Sequence, residues 1–168
     1  MATTVQDMLG DFEAAIQRLR DADDTTEERR ALNEAINCLY MLRSHFEGKT
    51  KQEKDAYYAT ADASTDGRVS EGLSLLRGRM VHDFTSPLTP KATPLVPGKH
   101  LYTSPDLLTG ENLSWLRGDS DVEDELVDKT RSSYKYDVVR FSYYKPLVGG
   151  HPVLQSLGQA LDFFKSLA

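Results

Sequence analysis

Four successive stretches at the start of this chain repeat apolar residues at three- and four-residue steps, the spacing that lines one face of an α-helix. The first reads from about Thr4 to Ala22 through Val5, Met8, Leu9, Phe12, Ile16 and Leu19. A turn at Asp23 to Thr26 follows, and Thr25 with Glu28 has the spacing of a capping box opening a second helix. That helix carries Leu32, Ile36, Leu39, Leu42 and Phe46 and is ended by Gly48, so the first two helices form an antiparallel hairpin. A shorter helix over Gln52 to Ala61 packs through Tyr57 and Tyr58. After the turn Ser64-Thr65-Asp66-Gly67, a fourth stripe of Val69, Leu73, Leu76, Met80 and Phe84 runs until Pro87 stops it.

Beyond this point the texture changes, because five of the seven prolines fall at 87, 90, 94, 97 and 105. A connection this long in a compact domain is a functional loop or an arm that wraps the bundle or a partner, and wrapping is the reading favoured here. Tyr136 to Tyr144 (YDVVRFSYY) is rich in β-branched and aromatic residues and reads as one short strand, with an extended arm as the alternative. No second strand is evident. A terminal helix opens at Pro152 with Val153, Leu157, Leu161 and Phe164 on one face. The expected fold is all-α: a four-to-five-helix bundle over residues 1–86, an irregular proline-rich and acidic segment over 87–135, and an extended segment plus a C-terminal helix over 136–168, together one domain.

At 168 residues, 39% of them hydrophobic and 27% charged, the chain can bury a core without disulfides or metal. It has no apolar run of membrane-spanning length and no signal pattern at its N-terminus, so it is expected to be cytoplasmic and without membrane partners. The single cysteine, Cys38, sits in the apolar run AINCLYML and reads as a small buried hydrophobe. The net charge of −6 excludes broad binding to long nucleic acid but leaves room for a local basic site. Acidic clusters at Asp21 to Asp24 and Asp119 to Asp128 read as solvated faces.

Most familiar chemistry is missing. His45, His82, His100 and His151 are scattered, with no HExxH or CxxC spacing, so no metal site is expected. Phosphate-loop and dinucleotide glycine patterns and a GxSxG elbow are also missing, and no cofactor is expected. The fourth helix, EGLSLLRGRMVHDF, is different. At about 100° per residue, Arg77 projects about 60° from the apolar stripe, Arg79 about 100° on the other side and His82 about 160° away. The face opposite the core carries Ser74, Leu75, Gly78, Val81 and His82, a mixture of small and apolar residues suited to contact. Gly78 inside a helix costs about 1 kcal/mol relative to Ala, which a close symmetric partner helix would justify. Two copies packed there would bring both histidines and both pairs of arginines into one cleft. Histidine near neutrality can move a proton to or from RNA oxygens, and arginine supplies forked donors for phosphate.

The residues Arg77-Gly-Arg-Met-Val-His82 resemble the signature of HEPN domains (higher eukaryotes and prokaryotes nucleotide-binding), an arginine followed after four to six residues by histidine. The placement is similar too, since Thr25 to Phe84 resembles the long helical hairpin and late helix of that family. GGHPVLQSLGQALDFF resembles the tail of HEPN-like proteins of actinobacteria and their phages. The resemblance implies a metal-independent endoribonuclease active as a homodimer, deployed as a toxin or a phage-defence effector, with an antitoxin or other protein as a further partner. Carried over, Arg77 holds phosphate and His82 transfers the proton; beside the resemblance, Arg79 lies nearer His82 around the helix and is a candidate to share or replace the role of Arg77, with Glu71 a further candidate to assist. Gly78 departs from the pattern, because many active members carry a polar residue directly after the arginine. The competing reading is a non-catalytic HEPN-like dimeric interaction or regulatory protein, and a third is nucleotide binding without hydrolysis.

Overall fold

A computed structural model describes residues 4–77, 88–90, 113–118, 120–127 and 130–168. Seven helices are named among them: α1 (Val5–Asp21), α2 (Thr25–Glu47), α3 (Lys51–Ala63), α4 (Thr65–Ser74), α5 (Ser120–Leu126), α6 (Tyr134–Leu147) and α7 (Val153–Leu167). Two short strands, β1 (Leu88–Pro90) and β2 (Leu113–Trp115), pair antiparallel with Leu88 opposite Trp115 and Pro90 opposite Leu113.

Local chemistry sets the helix ends. Thr4 and Asp7, and again Thr50 and Glu53, exchange side-chain and backbone bonds as capping boxes at the starts of α1 and α3. At α2 the cap is Asp24, whose carboxylate accepts from the amides of Thr26 and Glu27, and the expected Thr25–Glu28 box gives way to it. Gly48 closes α2 at φ 71, a conformation that glycine adopts without the Cβ penalty. Ser64 ends α3 and caps α4 with its hydroxyl, so the expected turn over 64–67 is a one-residue joint and α4 begins at Thr65.

The apolar faces of these helices share one core, running from Phe12, Leu19, Leu32 and Leu39 through Leu73, Leu76 and Trp115 to Tyr144, Leu157 and Phe164. The helix α7 lies against α1, α2 and α4, with Phe46 and Phe164 stacked where it meets the end of α2. A link through β2 ties the chain's second half together: the Trp115 amide donates to the His151 carbonyl, and the Gly150 amide donates to the Trp115 carbonyl.

Three expectations need correction. Residues 136–144 form no strand or extended arm but lie inside α6, whose half-buried Asp137 and Arg140 and buried Phe141 and Tyr144 recur at helical steps, with buried Val148 just past its end. Charged residues on that stripe hid the period. Strand pairing does exist, at the two borders of the proline-rich connection. The fourth helix does not run unbroken from Val69, because α4 ends at Ser74 and Leu75 sits in a turn before 76–77 resume helical geometry. Residues 78–87 and 91–112, and with them the wrapping arm, lie outside the described residues.

The helices α4 and α6 approach closely at Gly72. A Cβ there would meet the Tyr144 backbone nitrogen at 3.0 Å and its Cα at 3.1 Å, atoms that cannot swing aside. Glycine to alanine inside a helix ordinarily stabilises by about 1 kcal/mol. Here Gly72→Ala is expected to destabilise by about 1–2 kcal/mol through overpacking, read as a lower midpoint in urea denaturation.

Candidate functional site

The carboxylate of Glu71, on α4 and only 2% exposed, is the centre of a buried polar network. Its Oε1 accepts from Arg43 Nε at 2.8 Å and from the Tyr57 hydroxyl at 2.9 Å, and its Oε2 accepts from Arg140 Nε at 3.2 Å. Arg43 also meets Glu47 at 2.8 Å and donates to the Tyr58 hydroxyl at 2.7 Å. Tyr58 in turn donates to Glu47, and Arg140 reaches Asp137 at 3.0 Å. With Lys54 at 3.9 Å from Glu47, three cations face three carboxylates, so the network is neutral as a whole.

Burial opposes the charge on Arg43, but Glu71, with Tyr58 and Glu47, outweighs it and raises its pKa above the ordinary arginine value. Burial and the adjacent Glu71 push the Tyr57 hydroxyl up, so it stays protonated as a donor. This is a satisfied structural network. Glu71, a candidate assistant in proton transfer, is committed to three donors and acts here as a tether between α2, α3, α4 and α6.

The candidate site residues lie further along α4. The Ser74 hydroxyl is half-buried and donates to the Glu71 carbonyl at 2.6 Å. Leu75, expected on an outward contact face, is 8% exposed and belongs to the chain's own core, because α4 is covered on more than the side its apolar stripe marks: Ser70, Glu71 and Gly72 are buried as well as Val69 and Leu73. Arg77 is exposed, and its guanidinium carbon lies 3.5 Å from the centre of the Tyr40 ring on α2. Stacking occupies the guanidinium's face and leaves its N–H donors, which lie in the plane, directed to the side. Among the described residues no carboxylate pairs with it. Gly78, Arg79, Val81 and His82 lie outside the described residues.

The network and the Arg77–Tyr40 stack share one seam. Tyr40, Arg43 and Glu47 follow each other along a face of α2 at three- and four-residue steps, so the stack is about one turn from the network. One signal in the sequence does point to the network: Arg43 falls on the apolar stripe between Leu39, Leu42 and Phe46, where a charge needs a buried partner. Its partners Glu71 and Arg140 are distant in sequence and carry no such mark.

Other groups offer little chemistry. Burial pushes the Cys38 thiol up, helped by Asp11 and Glu34, so it remains protonated. His45 is exposed beside Phe46, and His151 sits 3.2 Å from the Pro146 carbonyl. Among the described residues no cluster of His, Cys, Asp or Glu could hold a metal, and no helix is long and apolar enough to cross a membrane. No protein-family model, curated protein or solved structure matches the chain.

Two consequences are measurable. Glu71→Ala leaves buried Arg43 with Glu47 alone and Arg140 with Asp137 alone, each short of one carboxylate, expected to cost about 3 kcal/mol, whereas Arg18→Ala, at an exposed pair with Glu34, should cost under about 1 kcal/mol. Chemical denaturation of both variants compares them. Glu28, 6% exposed, has a carboxylate oxygen without a hydrogen-bond partner, and burial raises its pKa from 4.5 to about 7 despite Arg29. The fold therefore favours protonated Glu28. Its contribution is fully present below about pH 4.5 and is lost as pH rises through about 7. Across that window Glu28→Gln should remove part of the fall in melting temperature and be more stable than the parent at pH 8.

Proposed function

We propose that this chain is a metal-independent endoribonuclease of the HEPN type, working as a homodimer with its cleft at the end of α4. The observation that carries the reading is Arg77: exposed, held by its face on Tyr40, and presenting its hydrogen-bonding edge to solvent. Such a guanidinium is pre-oriented for two parallel bonds to a phosphate, at little cost in side-chain entropy on binding. The other buried or half-buried arginines near the seam, Arg43 and Arg140, are already committed to Glu71, Glu47 and Asp137.

In this mechanism His82, five residues on, takes the proton from a ribose 2′-hydroxyl as its oxygen attacks the adjacent phosphorus. The bond to the 5′-oxygen breaks, and that oxygen receives a proton from a protonated histidine, which the second protomer's copy can provide. The products are a 2′,3′-cyclic phosphate and a 5′-hydroxyl. Arg77 and Arg79 stabilise charge gathering on the phosphate oxygens. Gly78 and Val81 supply the close contact between protomers, with Ser74 at its edge. A toxin or defence role, restrained by an antitoxin, fits such an activity.

The second reading is a non-catalytic dimeric interaction protein on the same frame, favoured by Gly78 in place of the polar residue of many active HEPN members. Cleavage of labelled single-stranded RNA in excess EDTA separates the two. The nuclease reading expects wild-type cleavage to fall at least about 100-fold in His82→Ala and in Arg77→Ala, with dimer mass unchanged by light scattering. A dimer that leaves the RNA intact would sink it and leave the interaction protein.

A further inference from the structure

The hydroxyls of Tyr57, Tyr58, Tyr143 and Tyr144 each donate to an acceptor of the fold, in turn Glu71, Glu47, Asp62 and the Leu116 carbonyl. Tyr40 is different. Its half-buried ring on α2 carries the Arg77 guanidinium carbon 3.5 Å from its centre, yet among the described residues its hydroxyl has no hydrogen-bond partner. Nor is that oxygen an orphan sealed in the interior: it reaches solvent. Phenylalanine would serve equally well as a surface for the guanidinium, so the stack does not account for the hydroxyl.

Among the described residues, no acid stands within a turn of this stack along either helix. One turn either side of Tyr40 lie Ile36, Asn37, Arg43 and Ser44, and one turn before Arg77 lie Leu73 and Ser74. The next acids along α2 and α4 are already met: Glu34 by Arg18, Glu47 by Arg43 and Tyr58, and Glu71 by Arg43, Arg140 and Tyr57. A cation and a neutral donor stand side by side here, neither of them taken by a carboxylate of the fold. The width of one phenol ring separates them, so a single tetrahedral oxyanion can meet both.

We infer that Tyr40 is a second phosphate-binding residue: its ring positions Arg77, and its hydroxyl donates to a non-bridging oxygen of the phosphate that Arg77 grips. The inference rests on the reading that Arg77 holds an RNA phosphate, and it adds a residue from α2 to that site. A fork and a phosphate can still swing about the line that joins them. A third donor, coming from the plane of the ring below, stops that swing and so sets which side of the phosphorus is open to attack. Because the contact is to a phosphate oxygen, it favours no particular base.

The probe is a labelled single strand with 2′-O-methyl riboses, which lacks the attacking hydroxyl and survives in the wild-type chain, titrated by fluorescence anisotropy in excess EDTA. Tyr40→Phe, which keeps the ring, is expected to weaken binding about tenfold, and Tyr40→Leu, which also frees Arg77, about 30-fold. With Arg77→Ala already in place, Tyr40→Phe should cost less than about twofold more, because no phosphate is then held beside the hydroxyl. Since that hydroxyl bonds to nothing in the fold, Tyr40→Phe should melt like the wild type. Unchanged affinity in Tyr40→Phe, a full penalty in the Arg77→Ala background, or no binding by the wild type would overturn the inference. So would a Tyr40→Phe variant that loses binding together with melting temperature, or a Tyr40→Leu variant that binds as well as Tyr40→Phe. Cleavage of ordinary RNA keeps the two readings apart. Tyr40-dependent binding by a chain that never cleaves would support this phosphate site while defeating the nuclease, and cleavage by a wild type whose Tyr40→Phe variant binds equally well would do the reverse.

Discussion

Placing the Glu71 carboxylate in the interior forces the arrangement of four helices, because a buried charge is tolerable only where its oxygens are met by donors at hydrogen-bond distance. Those donors come from α2 (Arg43), α3 (Tyr57) and α6 (Arg140), and each brings its own obligations. Arg43 must also satisfy Glu47 and Tyr58, and Arg140 must also satisfy Asp137. A one-residue slide of any of these helices moves its donor by about 1.5 Å and swings it about 100° around the axis. Apolar packing alone tolerates several registers; this network tolerates one.

The same constraint explains why α4 can be short. It has ten residues, and its glycine at 72 lets the α6 backbone come near enough for Arg140 to reach Glu71. A larger residue at 72 would push α6 outward and stretch the 3.2 Å contact. Close approach and ion pairing are therefore one feature, and both act on the stretch of chain that leads to Arg77. The stack on Tyr40 is a turn along α2 from Arg43, so the guanidinium proposed to hold phosphate is braced by helices that the network has locked together.

The hairpin of α1 and α2 was legible in the sequence because each helix carries a long apolar stripe that Arg43 and Glu28 of α2 do not hide. The helix α6 was not: half-buried Asp137 and Arg140 stand on its inward side, and a segment whose valines and tyrosines favour strands in isolation is held helical by the packing of Phe141 and Tyr144 in the core and of the helix against α4. Leu75 is buried although it lies off the apolar stripe, because α4 is surrounded by other helices and buries Ser70, Glu71 and Gly72 too. Glu28 also lies elsewhere than its spacing suggests. Its spacing from Thr25 suits a capping box, but Asp24 fills the cap and leaves Glu28 to burial. Arg77 could be picked out by its spacing from His82, whereas its partner Tyr40 could not, since contacts between distant helices leave no local pattern.

The RNA ligand proposed for this acidic chain is at odds with its net charge until distance is considered. Charges more than about 8 Å apart through physiological saline are largely screened, so what a phosphate meets is the sign of its immediate surroundings rather than the total. In this chain the acids near the seam are internally paired: Glu47, Glu71 and Asp137 are met by arginines. Neutralising those acids inside the fold leaves Arg77 as an exposed cation that no carboxylate of the described residues pairs with. The buried network that fixes helix register thus also clears the electrostatic field for an anionic ligand, and a variant that unpaired Glu71 would be expected to disturb both at once.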